Sequence, residues 1–290
     1  MPEFIIETKE IEFKYPDGTK ALNKLSLSME KGKKFAFLGA NGAGKSTLFL
    51  HFNGILRPSG GKVRFQGRDV RYDHSSLLEL RKNVGIVFQD PETQLFSASV
   101  IQEVSFGPFN MGLSENEVTE RVKNAMISTG IDDLKDRPTH FLSYGQKKRV
   151  SIADILAMDP PVIIFDEPTA CLDPRLTRHV MEIMDSLNGG GKTVIMSTHD
   201  IDLAYSWADY IFVLKNGSLA GEGLPEDIFQ DDELLRETGL QKPWLLEVYQ
   251  ELNKKGWILG ENKVPRTKTQ LFDFIARNGQ NKGTPGHFNL

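Results

Sequence analysis

The chain has a single cysteine, Cys171, in 290 residues. No intrachain disulfide is therefore possible, and a cytosolic setting is expected. No apolar run approaches the roughly 20 residues of a membrane-spanning helix. The opening Met1-Pro2-Glu3-Phe4 has no basic segment followed by an apolar one, so no signal peptide is expected. There is no excess of basic charge: 35 Lys and Arg stand against 39 Asp and Glu, for a formal net charge of −4. A global field drawing the protein to nucleic acid is thereby excluded. Internal repeats are absent. If the protein serves a membrane, it does so from the cytoplasmic side, through a partner. The length accommodates one large domain, or one domain with an appendage.

What is present is organised around Gly39-Ala40-Asn41-Gly42-Ala43-Gly44-Lys45-Ser46-Thr47, which fits G-x-x-x-x-G-K-[ST]. An apolar segment, Lys33-Lys34-Phe35-Ala36-Phe37-Leu38, precedes it as a short strand, and Ser46 to Phe52 follows as the start of a helix. Strand, glycine loop and helix are the context this motif requires. Gly39, Gly42 and Gly44 admit dihedrals closed to other residues, so successive N–H groups can converge on phosphate oxygens. The helix beginning near Lys45 adds the positive end of its dipole. Lys45 supplies a point charge for the outer phosphates, and the Ser46 hydroxyl is placed for Mg²⁺.

Around this loop the chain alternates short elements. Phe4 to Glu7, Ile11 to Tyr15 and Ala21 to Met29 read as strands of an antiparallel β subdomain, with Pro16-Asp17-Gly18-Thr19 as a turn. Tyr15 is either a strand aromatic over the core or a platform for an adenine ring. Val84 to Phe88 reads as a buried strand ending at Gln89, a position suited to a ligand in an α/β sheet. Residues 113–158 are largely helical. Within them Ser143 caps a helix, so Ser143 and Gly145 mark a second potential anion site. Lys147-Lys148-Arg149 reads as a solvated helix face. Val162 to Phe165 is an apolar strand ending in Asp166-Glu167, where one carboxylate can hold Mg²⁺ and the next can orient or deprotonate water. Thr193 to Asp200 reads as a buried strand that reaches His199. From about residue 239 the character changes: 243–255 and 267–278 read as two amphipathic helices, and 279–290 as a disordered tail.

The ordered set Gly39 to Ser46, Gln89, Leu142-Ser143-Tyr144-Gly145-Gln146, Asp166-Glu167, Asp173 and His199 resembles the ATP-binding-cassette ATPases over about residues 3–235. The resemblance implies an α/β fold: a P-loop core with an antiparallel β subdomain and an inserted α-helical subdomain at about 90–155. The domain spans 1–238, and a small C-terminal extension at 239–278 is a candidate dimerisation element. ATP and Mg²⁺ are the implied ligands. Tyr15, residues 39–47 (Gly39, Ala40, Asn41, Gly42, Ala43, Gly44, Lys45, Ser46 and Thr47), Ser143, Gly145, Gln146 and Asp173 then bind nucleotide. Ser46, Gln89 and Asp166 serve the metal, and Glu167, His199 and Gln89 serve catalysis. The family works as a head-to-tail pair, homo- or heterodimeric, in which the Ser143–Gln146 loop of one subunit closes over ATP held by the other. Tyr144 departs from the family's usual glycine, so its side chain must point away from ATP.

Asp90-Pro91-Glu92-Thr93-Gln94-Leu95-Phe96 and Val104-Ser105-Phe106-Gly107-Pro108-Phe109-Asn110 look more narrowly like the ATPases of energy-coupling-factor importers, particularly the cobalt type. That resemblance implies an integral membrane scaffold and a substrate-binding membrane subunit as partners, no nucleic acid, and a peripheral place on the cytoplasmic face of the cell membrane. Leu95, Phe96, Phe106 and Phe109 are expected to form an apolar dock, with Asp90, Glu92 and Glu103 pairing with basic residues of the incoming helix. A soluble ATPase of the iron–sulfur assembly type is the alternative. For the extension, dimerisation competes with simple packing on its own cassette.

Overall fold

The structure, a computed structural model, describes residues 3–257 and 264–279. In chain order the strands and helices are β1 (Phe4–Lys14), β2 (Lys20–Glu30), β3 (Lys34–Leu38), α1 (Lys45–Phe52), β4 (Gly60–Phe65), β5 (Arg68–Asp69), α2 (His74–Asn83), β6 (Val84–Val87), α3 (Val100–Asn110), α4 (Glu115–Thr129), α5 (Tyr144–Met158), β7 (Val162–Phe165), α6 (Pro174–Gly189), β8 (Thr193–Ser197), α7 (Ile201–Trp207), β9 (Tyr210–Lys215), β10 (Ser218–Gly223), α8 (Pro225–Ile228), α9 (Asp232–Thr238), α10 (Trp244–Lys254) and α11 (Lys268–Gly279).

Two sheets divide the work. A four-stranded sheet of order β2-β1-β4-β5 is antiparallel throughout. The other has the order β10-β9-β3-β8-β7-β6 and is parallel except for the edge strand β10. Strands β6, β7 and β8 are buried at every residue. That is why they read as unbroken apolar runs and not as alternating ones. The two segments expected at 4–7 and 11–15 are one strand: Glu10 takes a left-handed φ of 45° and the register shifts between Thr8 and Ile11. The bulge keeps the strand continuous across the residue that breaks its alternation. Helix α2 was not legible as an element, although Asp73 caps it by accepting from Ser76 N.

Helices α3, α4 and α5 enclose a core of their own, built on Val100, Val104, Val118, Val122, Met126, Leu142 and Val150. The fold class inferred from the sequence therefore holds, with antiparallel sheet, parallel core and helical subdomain all present. Glu103, expected on the docking surface, is instead 3% exposed and accepts from Phe96 N (3.0 Å) and Ser97 N (2.5 Å). It closes the turn that presents Phe96, and it is not available to a partner.

The two C-terminal helices lay their apolar faces on the cassette. Leu245, Leu246, Tyr249, Leu271 and Phe274 join the same buried cluster as Val180, Tyr205 and Phe229. Arg266 fastens the segment by donating to the carbonyls of Tyr205 and Ala208 and pairing with Glu226. Trp244, Val248, Phe272 and Ile275 remain exposed. The segment expected to be disordered lies, beyond Gly279, outside the described residues.

Asp154 of α5 accepts from Gln94 Nε2 at 3.3 Å, and burial beside Glu103 pushes its carboxyl well above the ordinary range. A raised folded-state value means that stability is full below the unfolded value, near 4, and declines as pH rises toward the folded one. Asp154→Asn should therefore raise the melting temperature at pH 7–8 and lose that advantage near pH 4, as measured by thermal unfolding across pH. Equal melting curves for both proteins at pH 8 would contradict this account.

Candidate functional site

The parallel pairing of β3, β8, β7 and β6 brings four strand ends to one edge. There a cleft of about 490 Å³ is lined by Tyr15, Asn41, Gly42, Ala43, Gly44, Lys45, Ser46, Thr47, Gln89, Asp166, Glu167 and His199, with Thr19, Lys20 and Ala21. Residues separated by as much as 184 positions thus share one concavity, at the carboxyl ends where α/β sheets hold ligands. His199 stands two residues beyond β8, not on the strand itself.

The glycine loop turns because it must pass close to the backbone of its neighbours. Gly39 has a φ of 143°, and a Cβ there would lie 2.3 Å from the Leu214 carbonyl oxygen. Gly44, at φ 103°, would meet the Ala21 carbonyl oxygen at 2.6 Å. Lys45 is 8% exposed and donates to the carbonyls of Gly39 (2.6 Å) and Ala40 (3.3 Å). Burial lowers its pKa, and the charges of Glu167 and Asp166 oppose that shift. The lysine is thus held folded over the loop, close to two carboxylates and able to turn toward an anion. The Tyr15 hydroxyl lies 3.0 Å from Thr47 Oγ1, and its ring packs edge-on against Phe13.

Opposite the loop, Asp166 and Glu167 are 6% and 7% exposed. Ser197 of β8 links them: its hydroxyl donates to Asp166 Oδ1 at 2.5 Å, and its oxygen accepts from Glu167 N at 2.9 Å. Glu167 has a φ of 44°, a left-handed conformation that costs a non-glycine residue about 1–2 kcal/mol. This strain aims the carboxylate into the cleft, where His199 Nδ1 donates to Oε2 at 2.9 Å. Among the described residues no group of three or more His, Cys, Asp or Glu is placed to hold a metal. The hydroxyl of Ser46, the carboxylate of Asp166 and the amide oxygen of Gln89 do supply the hard oxygen donors that Mg²⁺ takes alongside nucleotide phosphates.

The remaining nucleotide candidates lie elsewhere. Ser143, Gly145, Gln146 and Asp173 line a separate cleft of about 720 Å³ with Arg149, Arg175, Leu176 and Arg178. Ser143 caps α5 in a reciprocal box: its Oγ accepts from Gln146 N, and Gln146 Oε1 accepts from Ser143 N. Asp173 caps α6 by accepting from Arg175 N and Leu176 N. At Gly145 a Cβ would lie 2.8 Å from Leu176, so glycine permits the two helix starts to approach.

Sequence reasoning misjudged Lys147-Lys148-Arg149. The first pairs with Glu92 at 2.6 Å, and the last donates to the carbonyls of Thr129 and Gly130. Lys148 is fully buried; it donates to the carbonyls of Phe88 (2.7 Å) and Gln89 (3.0 Å), and burial pushes its pKa down to about 8. The signal was available: Lys148 lies four residues before the buried Ile152, on the inward face of α5. Ser197 was missed because its role depends on the neighbouring strand. Tyr144 points back into its own chain, its hydroxyl donating to the Gln89 carbonyl at 3.2 Å.

A glycine loop between β3 and α1, a histidine just beyond the neighbouring β8 and paired carboxylates at the end of β7 define a phosphate-loop nucleotide hydrolase. The ABC transporter family signature matches residues 22–170. An ABC transporter ATP-binding protein of Methanosarcina mazei is 48% identical over 93% of this chain, which spans 60% of that longer protein. The energy-coupling factor transporter ATP-binding protein EcfA of Methanocaldococcus jannaschii is 47% identical, over 89% of this chain and 95% of the relative. Among solved structures, cbiO1 of Clostridium perfringens, part of the ABC transporter complex cbiONQ, has a TM-score of 0.72 at 45% identity, covering 88% of this chain and 98% of the other. The chain belongs to the ABC transporter ATPase family. It is an ATP-binding ATPase, and no described helix is long and apolar enough to cross a membrane.

Because the loop enters against the Leu214 carbonyl, Gly39→Ala should destabilise the fold by at least about 1 kcal/mol and abolish nucleotide retention. Chemical denaturation and a fluorescent-nucleotide titration measure both. Wild-type values in both would show that the loop has room the geometry denies.

Proposed function

We propose that the chain energises an energy-coupling-factor importer, hydrolysing ATP as one half of a head-to-tail pair of ATPase subunits on the cytoplasmic face of a membrane. The observation that carries this reading is the division of its nucleotide machinery between two clefts. Residues 41–47, Gln89, Asp166, Glu167 and His199 share one, and Ser143, Gly145, Gln146 and Asp173 share the other. A nucleotide seated in the first meets the second only when a further subunit, identical or homologous, supplies it. The arrangement makes electrostatic sense, since two helix N-termini then face one polyphosphate.

In this mechanism the loop N–H groups and Lys45 take the phosphates, and Tyr15 stacks on the adenine. Ser46, Asp166 and Gln89 would hold Mg²⁺, which would supply charge neutralisation on the phosphates. Glu167 accepts a proton as water attacks the terminal phosphorus and the bond to the bridging oxygen breaks, releasing ADP and phosphate. As an imidazolium, His199 donates from Nδ1 to Glu167 and from Nε2 to the terminal phosphate. The Ser143 hydroxyl accepts from Gln146 N through its oxygen, and its own proton remains for the partner's nucleotide.

The membrane partners are an integral scaffold and a substrate-binding subunit. Phe96, Phe106 and Phe109 support this part of the reading: they are 65%, 51% and 56% exposed on the helical subdomain, with Phe96 and Phe106 in edge-to-face contact. Exposed aromatics of this size suit a short helix laid into a groove. The cargo class implied by the sequence resemblance is cobalt, a related metal or a vitamin. No residue in this account touches the cargo. Helices α10 and α11 of the extension pack on their own cassette, and the exposed Trp244, Val248, Phe272 and Ile275 leave a face for a second subunit.

Lys45→Ala removes a charged donor worth about 1.5–3 kcal/mol, so MgATP affinity should fall about ten- to a hundredfold. Glu167→Gln should keep affinity, lower kcat about a hundredfold or more and accumulate an ATP-bound dimer in sedimentation. Turnover by Glu167→Gln near the wild-type rate removes the role given to this carboxylate.

Phe106→Glu should leave nucleotide binding by the isolated subunit intact and abolish co-purification with the integral membrane subunits. A complex that assembles and transports normally with this substitution places the dock elsewhere.

A further inference from the structure

We infer that Tyr144 and Lys148 are positioning residues that brace the start of α5 against the end of β6, so that the two nucleotide clefts of one chain respond as a unit. Three hydrogen bonds converge on two consecutive carbonyls. Lys148 Nζ donates to Phe88 (2.7 Å) and to Gln89 (3.0 Å), and the Tyr144 hydroxyl donates to Gln89 (3.2 Å). The donors stand one helical turn apart on α5 and so face the same way. Their acceptors flank the point where the chain leaves the parallel sheet for the helical subdomain.

The placement matters because each partner belongs to a different cleft. Gln89 lines the cleft that holds the glycine loop, Asp166 and Glu167. Tyr144 is the first residue of α5 and lies between Ser143 and Gly145, which line the other cleft. A shift of the Gln89 backbone toward a bound nucleotide therefore pulls directly on the turn that presents Ser143. Lys148 is fully buried, so breaking its contacts would strand a cation away from water. That cost favours moving the two segments together over separating them. The brace also accounts for an aromatic residue at position 144: a glycine there has no hydroxyl to reach the carbonyl.

The inference rests on the head-to-tail reading for its functional consequence, but the brace itself is testable in one subunit. Backbone amide exchange is measured across residues 143–149 with and without MgATP, at concentrations where the chain is monomeric. The wild type should show a nucleotide-dependent change in this stretch. Tyr144→Phe, which removes one oxygen, and Lys148→Met should lose it while binding ATP within about twofold of wild type and, for Tyr144→Phe, melting as the wild type does. In the Glu167→Gln background, adding Tyr144→Phe should weaken the ATP-dependent dimer about three- to tenfold, the effect of one hydrogen bond. An unchanged exchange response in both variants, or in Tyr144→Phe alone should Lys148→Met not fold, overturns the brace. Failure of Glu167→Gln itself to dimerise with ATP counts against the head-to-tail reading, and the exchange result still decides the brace.

Discussion

The parallel pairing of β3 with β8, and of β7 with β8 and β6, is the constraint on which the rest of this molecule depends. Phe35 is level with Ile195, Ile164 with both Ile195 and Ile86, and the strands end within a residue or two of one another. Registers of this kind are fixed by side chains buried on both faces. Slipping one strand by a residue would exchange its two apolar faces and also move a functional side chain by about 3.3 Å. The same packing that stabilises the core therefore sets the distances between phosphate loop, carboxylates and histidine. Ser197 shows how directly: it reaches Asp166 and Glu167 only because β8 and β7 end together.

Local chemistry made much of this legible in the sequence. The glycine loop declares itself by residue type, and the apolar runs of β6, β7 and β8 declare a buried parallel sheet before any coordinates exist. Gln89 and Asp166 follow from one rule, that polar residues at strand ends suit a ligand, whereas His199 is singled out only by the family resemblance; the structure brings all three to one cleft. What escaped was of two kinds, a side chain folding back on the start of its own helix and a contact across sixty residues. Glu103 looks like a surface acid in an amphipathic stretch, yet it caps the turn at Phe96 and Ser97, because folding places that turn over α3. Lys148 sits inside a basic triplet, and a triplet of charges reads as solvated unless the inward register of α5 is counted. No local pattern announces that its acceptors lie some sixty residues upstream.

The helical subdomain keeps its own apolar core, and α5 joins it to the parallel sheet through apolar side chains, Ile152, Ile155 and Leu156, as well as polar ones. On the sheet side the residue 88–89 carbonyls receive Tyr144 and Lys148, while Gln94 on Ser151 and Asp154, and Lys147 on Glu92, tie the loop that follows to α5. Hydrogen bonds are directional and short-ranged, so these contacts set the angle at which α5 meets the sheet, while the apolar side chains beside them exclude water. A subdomain joined this way moves with the end of β6 more readily than it parts from it.

The left-handed backbone of Glu167 sets stability against chemistry at one residue. A glycine at 167 would relieve about 1–2 kcal/mol of conformational strain, and with it would go the carboxylate. On the role proposed for Glu167, the side chain that does the chemistry is also one the backbone would give up downhill, so a search for stabilising substitutions would choose glycine here and return a protein without turnover.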